Sequence, residues 1–150
     1  MIEEKNLLLI IPNDEIGGAQ NFFKRLFKNI PFSEKALYVE DLHSFGRLNI
    51  LHRIWSINKN IRKLSSEGKV TILATVNSIV PSALCKLIFT NFFLVSRLGN
   101  TLSAESKNQG IKSFKIILIH KIVFYLSDLV VFQSKSMKED ALKVLNLKDS

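Results

Sequence analysis

A single cysteine, Cys85, excludes an internal disulfide; in its apolar surroundings it reads as a small core residue. Prolines number three and glycines six in 150 residues, and the chain has no repeats and no low-complexity segments. No apolar run approaches the roughly 18 residues needed to span a bilayer. Met1-Ile-Glu-Glu-Lys5 is acidic ahead of the first apolar run, the wrong order for a secretory signal, and a cytoplasmic location is expected. The chain has no Gly-x-x-x-x-Gly-Lys-Ser/Thr loop, no Gly-x-Ser-x-Gly elbow, no complete Gly-x-Gly-x-x-Gly fingerprint and no Cys/His cluster. No metal or resident cofactor is therefore expected. His43, His52 and His120 stand apart from the candidate loops and read as structural or surface residues, and no nucleophile–base pair can be assembled.

Acidic residues are missing from two long stretches. Between Asp41 and Glu67 lie only Arg47, Arg53, Lys59, Arg62 and Lys63; between Glu105 and Asp128 only Lys107, Lys112, Lys115 and Lys121. Both stretches also carry large apolar residues: Trp55 in the first, Phe114, Phe124 and Tyr125 in the second. Cations beside such residues suit an anionic membrane surface or a phosphate-bearing lipid, the alternative being an ordinary solvated basic face. Although the net charge is +8, no helix-turn-helix, zinc-finger or aromatic RNA-binding pattern accompanies it, so nucleic acid is not expected as a partner.

What is present is a regular alternation. Leu7–Ile11 is a short aliphatic run closed by Pro12, a buried strand. From Ala19 the period changes, and Phe22, Phe23, Leu26, Phe27 and Ile30 share a helical face opposite Lys24, Arg25 and Lys28. Further strands are expected at Lys35–Val39, Val70–Ala74, Phe92–Val95 and Asp128–Phe132. Helices are expected from about Leu48 to Leu64, from a loop and helix start at Asn77–Ser82 on through Ile88, from about Ile111 to Leu126, and after Ser134 or Ser136. Ser136 with Glu139 forms a capping-box spacing. Arg97–Gly110 reads as the longest loop. The fold class is α/β, a Rossmann-like, doubly wound parallel sheet of about five or six strands in a single domain.

Such sheets bind ligands at the carboxyl ends of their strands. The loops expected there are Asn13–Gly18, Thr75–Ser78 with Asn77, Arg97–Ser103, and Gln133–Ser136 with Ser134. Gly17-Gly18-Ala19-Gln20 stands at a strand-to-helix junction, where glycine lets the backbone approach a ligand and the first helical N–H groups can meet an anion. The plainer alternative is that the glycines only make the turn. Arg97 offers a bidentate fork to phosphate or carboxylate, while Asn100, Thr101 and Ser103 add neutral groups suited to sugar hydroxyls; the alternative for Arg97 is a surface ion pair.

Three segments resemble one family. Ile16-Gly-Gly-Ala-Gln20 is similar to the Gly-Gly-Ala-Glu segment of family 4 glycosyltransferases. Arg97-Leu-Gly-Asn-Thr-Leu-Ser103 resembles an Arg-x-x-Asn-Thr-Leu-Ser segment found after the fourth strand in some members. Leu126 to Asp140 resembles the family's "ad-x-vv-x-x-S-x-x-m-k-x-d" segment. The resemblance implies the N-terminal, acceptor-binding half of a GT-B enzyme. Such enzymes move a sugar from a nucleotide-sugar donor to a lipid-linked or polysaccharide-precursor acceptor, with retention and without a catalytic metal. It also implies that Gly17 and Gly18 approach the donor diphosphate or the acceptor, that Arg97 and Asn100 face the cleft, and that Ser134 starts the last helix.

Two positions depart from the pattern. Gln20 replaces the usual glutamate. Leu98-Gly99 stands where relatives often carry an acidic residue and a histidine, the group most apt to touch the reacting hydroxyl. The family's nucleotide pocket and its pair of glutamates belong to a second domain, and no two glutamates here have that spacing. The expectation is therefore a truncated, split or separately expressed half, inactive alone, that works with a separate donor-binding domain or subunit. A peripheral position on the inner face of the cell membrane would fit its basic–apolar stretches. From a different class comes the alternative of a non-catalytic Rossmann-like module that docks on a membrane or a partner protein.

Overall fold

A run of apolar residues without alternation can be buried as a strand only where both sheet faces are covered, and Asn6–Ile11 (β1) meets that condition at every position. The computed structural model describes residues 6–11, 18–29, 35–39, 49–65, 69–75, 78–88, 92–107 and 112–147. After β1 come helix Gly18–Asn29 (α1), strand Lys35–Val39 (β2), helix Asn49–Ser65 (α2), strand Val70–Thr75 (β3) and helix Ile79–Ile88 (α3). Strand Phe92–Leu98 (β4), helices Leu102–Lys107 (α4) and Lys112–Leu126 (α5), strand Leu129–Phe132 (β5) and helix Lys135–Leu145 (α6) complete the order. The five described strands form one parallel sheet in the order β2-β1-β3-β4-β5. The order reverses between β1 and β3, which opens a crevice at their carboxyl ends.

Alternation along the strands gives the sheet two unlike faces. Leu8, Ile10, Val70, Ile72, Ala74, Phe92, Leu94 and Leu98 pack beneath α2, α3 and α5, which contribute Ile54, Ile57, Ile61, Ala83, Cys85 and Val123. On the other face, Leu9 and Ile11 meet Leu26 and Phe27 of α1, with Leu73 beside them. A third cluster joins Leu102 of α4 to Ala141 and Leu145 of α6, with Phe124 and Phe132 between it and the main core. α6 therefore lies on the Phe132 side of the sheet. On the α1 side, Phe93 and Leu129 each remain 49% exposed, and Val131 is also exposed.

Several buried polar groups in this core are paired. The Asn6 side-chain amide donates to the Leu64 carbonyl at 2.7 Å and its backbone N–H to the Lys69 carbonyl at 3.1 Å, tying the end of α2 to the start of β1. Cys85 is fully buried, as expected, and burial pushes its thiol up to about 11. Only the thiolate reacts, so native Cys85 should resist iodoacetamide at pH 8 and react once the chain is unfolded in urea. Equal rates in both states would contradict its burial.

Asp128 fastens β4 to β5 at their amino ends. Its carboxylate accepts the Leu94 N–H at 2.7 Å and pairs with Lys86 of α3, while its own N–H donates to the Leu94 carbonyl at 3.0 Å. Burial works to raise the pKa of this carboxyl, but the Lys86 hydrogen bond, the Leu94 N–H and the Lys86 charge together bring it below the ordinary value. A depressed folded pKa stabilises the protein above the unfolded value of about 3.9, and that stabilisation is lost as pH falls through the folded value. Asp128→Asn should therefore lower stability by about 1 kcal/mol at pH 7, near the low end because the group is partly exposed. In urea titrations the gap to the natural protein should close as pH falls through the folded value. A gap that widens on acidification would contradict the sign.

Two elements differ from the sequence reading. β4 runs to Leu98 rather than stopping at Val95, so Arg97 lies inside the strand, paired in register with Thr75 and Val131. The expected loop Arg97–Gly110 contains a short helix, α4, held because Leu102 is buried against α6 and the Ser103 N–H donates to Asp140 Oδ2 at 3.0 Å. Both come from tertiary contacts, which override local composition.

Candidate functional site

Each described loop-proximal residue of interest falls at the carboxyl edge of the sheet, because every strand is parallel and each of these residues ends or follows one. From β1 to β5 the rim carries the first turn of α1 (Gly18, Ala19, Gln20), then Thr75, then Arg97, then Ser134. With strands about 4.8 Å apart, β1 and β5 are separated by roughly 14 Å. That span accommodates a diphosphate with a sugar attached. Gly17 and Asn77 lie outside the described residues.

The geometry around Arg97 is the most informative part of this rim. Strand alternation puts its side chain on the same sheet face as Leu9, Ile11, Leu73 and Thr75, which is the face covered by α1. Its Nη1 donates to Thr75 Oγ1 at 3.5 Å, so the guanidinium leans across β3 toward the β1–β3 crevice. Partial burial lowers its pKa from the ordinary value, and a guanidinium remains charged regardless. The cation and the amino end of α1 thus share one face and one edge. The same face continues away from Arg97 as Val131, Leu129 and Phe93, an exposed apolar wall on β4 and β5.

Other candidates turn out differently. Asn100 is exposed in the turn after β4, and Thr101 is half-buried beside the start of α4. Leu98 is buried in the core and faces away from Arg97.

Ser134 is the N-cap of α6: extended at φ −150° and ψ 161°, its Oγ accepts the Met137 N–H at 3.3 Å. The capping box expected at Ser136 and Glu139 is not the cap; Ser136 Oγ instead contacts Ser134 Oγ at 2.9 Å, and Glu139 pairs with Lys135 at 3.7 Å. Ser134 wins because its extended backbone turns its hydroxyl toward the first helical N–H groups, the geometry a cap needs.

The histidines stay apart from the rim among the described residues. His52 lies on α2 beside Trp55, with ring centroids 6.0 Å apart, and His120 Nδ1 meets the Ile116 carbonyl at 2.9 Å on α5. No group of three or more His, Cys, Asp or Glu side chains among the described residues could hold a metal ion.

A second concavity was not foreseen. An open groove of about 620 Å³ runs along α2, lined by His52, Trp55, Ser56, Lys59, Asn60 and Lys63. Lys59 Nζ lies 5.7 Å from the Trp55 ring centre, within cation–π range. The helical spacing of Trp55, Lys59 and Lys63 was the available signal.

Comparison with protein-family models, with curated proteins and with solved structures finds no match to this chain.

Proposed function

We propose that this chain is the acceptor-binding half of a sugar-transferring enzyme, holding a lipid-linked phosphate or diphosphate at the carboxyl edge of its sheet. One observation carries the reading: Arg97, Thr75 and the amino end of α1 share a face and an edge, with an exposed apolar wall running away from them. A helix amino end and a guanidinium together favour phosphate oxygens. The apolar wall of Val131, Leu129 and Phe93 suits the hydrocarbon that follows such a phosphate in a polyprenyl carrier. The resemblance of Gly17–Gln20, Arg97–Ser103 and Leu126–Asp140 to family 4 glycosyltransferases supports the same assignment.

In this reading Arg97 binds and orients the acceptor phosphate, the first turn of α1 supplies backbone N–H groups, and Asn100 and Thr101 reach the sugar hydroxyls. Ser134 orders the start of α6 rather than touching substrate. Transfer itself needs the departing diphosphate of the nucleotide sugar to be stabilised, and here that task falls to a separate donor-binding domain. This half supplies positioning.

Calorimetric titration tests this. Geranyl diphosphate, a short polyprenyl-diphosphate mimic, should bind, and a nucleotide sugar should bind at least tenfold more weakly. Tighter binding of the nucleotide sugar, or binding of neither, would overturn the assignment.

A further inference from the structure

α5 is apolar on every side, yet only one side is buried. Val123 packs into the main core, with Ile117 and Phe124 half-buried beside it. The opposite side leaves Phe114 72%, Leu118 48%, Ile122 40% and Tyr125 89% exposed. At ~100° per residue these four fall within about 80° of one another, a continuous stripe along the helix. Lys115 and Lys121, both exposed, lie about 20° beyond either edge of that stripe. An apolar stripe bracketed by cations whose stems can snorkel is the pattern of a helix lying in a lipid headgroup region.

The neighbouring helices continue the surface. α3 packs between α2 and α5 on one side of the sheet, so their outer faces look the same way. α2 adds exposed Leu51 and Trp55 with Lys59, Arg62 and Lys63, and α3 adds exposed Leu87 and Ile88. None of the three helices contains an aspartate or glutamate. A protein partner that covered so much apolar surface would find no acidic group here to pair with its own cations, whereas an anionic bilayer meets a face of one sign throughout. No described helix is long and apolar enough to cross a membrane, so the contact is with its surface.

We infer that the outer face of α2, α3 and α5 docks on an anionic lipid bilayer, with the Phe114–Tyr125 stripe entering the headgroup boundary and the flanking lysines meeting lipid phosphates. The surface is separate from the Arg97 rim and does not depend on the sugar-transfer reading.

Flotation of the full chain with vesicles provides the test. Binding is expected to vesicles containing 30% phosphatidylglycerol and to be at least tenfold weaker to pure phosphatidylcholine or in 0.5 M salt. Trp55, the only tryptophan, should shift its emission to the blue on binding. Phe114→Ser with Tyr125→Ser should weaken binding at least tenfold, and both residues are exposed enough for the fold to persist, which circular dichroism would verify. Lys115→Glu with Lys121→Glu should abolish the preference for the anionic lipid. Arg97→Ala should leave vesicle binding unchanged, which separates this surface from the rim. Absence of vesicle binding, equal binding by the serine variant, or lipid-free self-association that the same serine pair abolishes would each overturn the inference, the last in favour of a second copy of this chain.

Discussion

Arg97→Ala should reduce affinity for geranyl diphosphate by roughly 10- to 100-fold while leaving the thermal transition within a few degrees of the natural protein. The magnitude follows from a charge-assisted hydrogen bond worth about 1.5–3 kcal/mol, at about 1.4 kcal/mol per factor of ten. The selectivity follows from position. Arg97 is half-buried at the carboxyl edge of the sheet, near the end of β4, outside the main core cluster, and its Nη1 donates to Thr75 Oγ1 at 3.5 Å. Arg97→Lys should recover only part of the affinity, because an ammonium keeps the charge but lacks the planar fork. Full recovery by lysine would mean that charge alone matters, and equal binding by the alanine variant would remove Arg97 from the site.

The largest stability effect should come from the residue three positions earlier. Leu94→Ala removes a side chain with no exposed surface at the centre of the main core, and a cost of about 2–5 kcal/mol is expected by urea denaturation. Its neighbour Phe93 is the larger residue, yet it points to the opposite face and is 49% exposed. Phe93→Ala should therefore cost about 1 kcal/mol, well below the about 3–5 kcal/mol of a buried phenylalanine. The pair tests the sidedness of the sheet directly. Similar losses at both positions would mean that another element covers Phe93 and that the apolar wall beside Arg97 is not open.

Most of the fold is legible in the sequence because its strands are short aliphatic runs separated by amphipathic ones. Leu7–Ile11 shows no alternation, which marks a central strand, and β1 indeed lies between β2 and β3. Periodicity could not reveal the continuation of β4 through Ser96 and Arg97, since two polar residues look like a loop. Ser96 is nevertheless buried, with its hydroxyl 2.7 Å from Ser127 Oγ, and Arg97 lies on the half-covered face. α4 escaped for the same reason: its single buried anchor, Leu102, has a partner 39 residues on, at Ala141, that no local pattern announces.

The rim was legible as a set of loops but not as a geometry. Composition marks Gly18, Arg97 and Ser134 as small or polar residues after apolar strands. Only the strand order shows that Thr75 stands between the first two, and only alternation puts Arg97 on the α1 face. Ser134 is also polar and follows an apolar strand, but its hydroxyl accepts the Met137 N–H as the cap of α6 and meets Ser136 Oγ at 2.9 Å. On α5, composition sets Phe114, Phe124 and Tyr125 among cations, while only the assembled layer shows that Phe114 and Tyr125 are exposed and Phe124 is half-buried.

Backbone amide resonances recorded during a geranyl diphosphate titration bear most directly on the central claim, that one edge of one sheet face gathers the phosphate-binding groups. Gly18, Thr75, Arg97 and Val131 should move together and saturate at a common dissociation constant. Shifts confined to α2 around Trp55, or to the amino ends of the strands near Asp128, would contradict it.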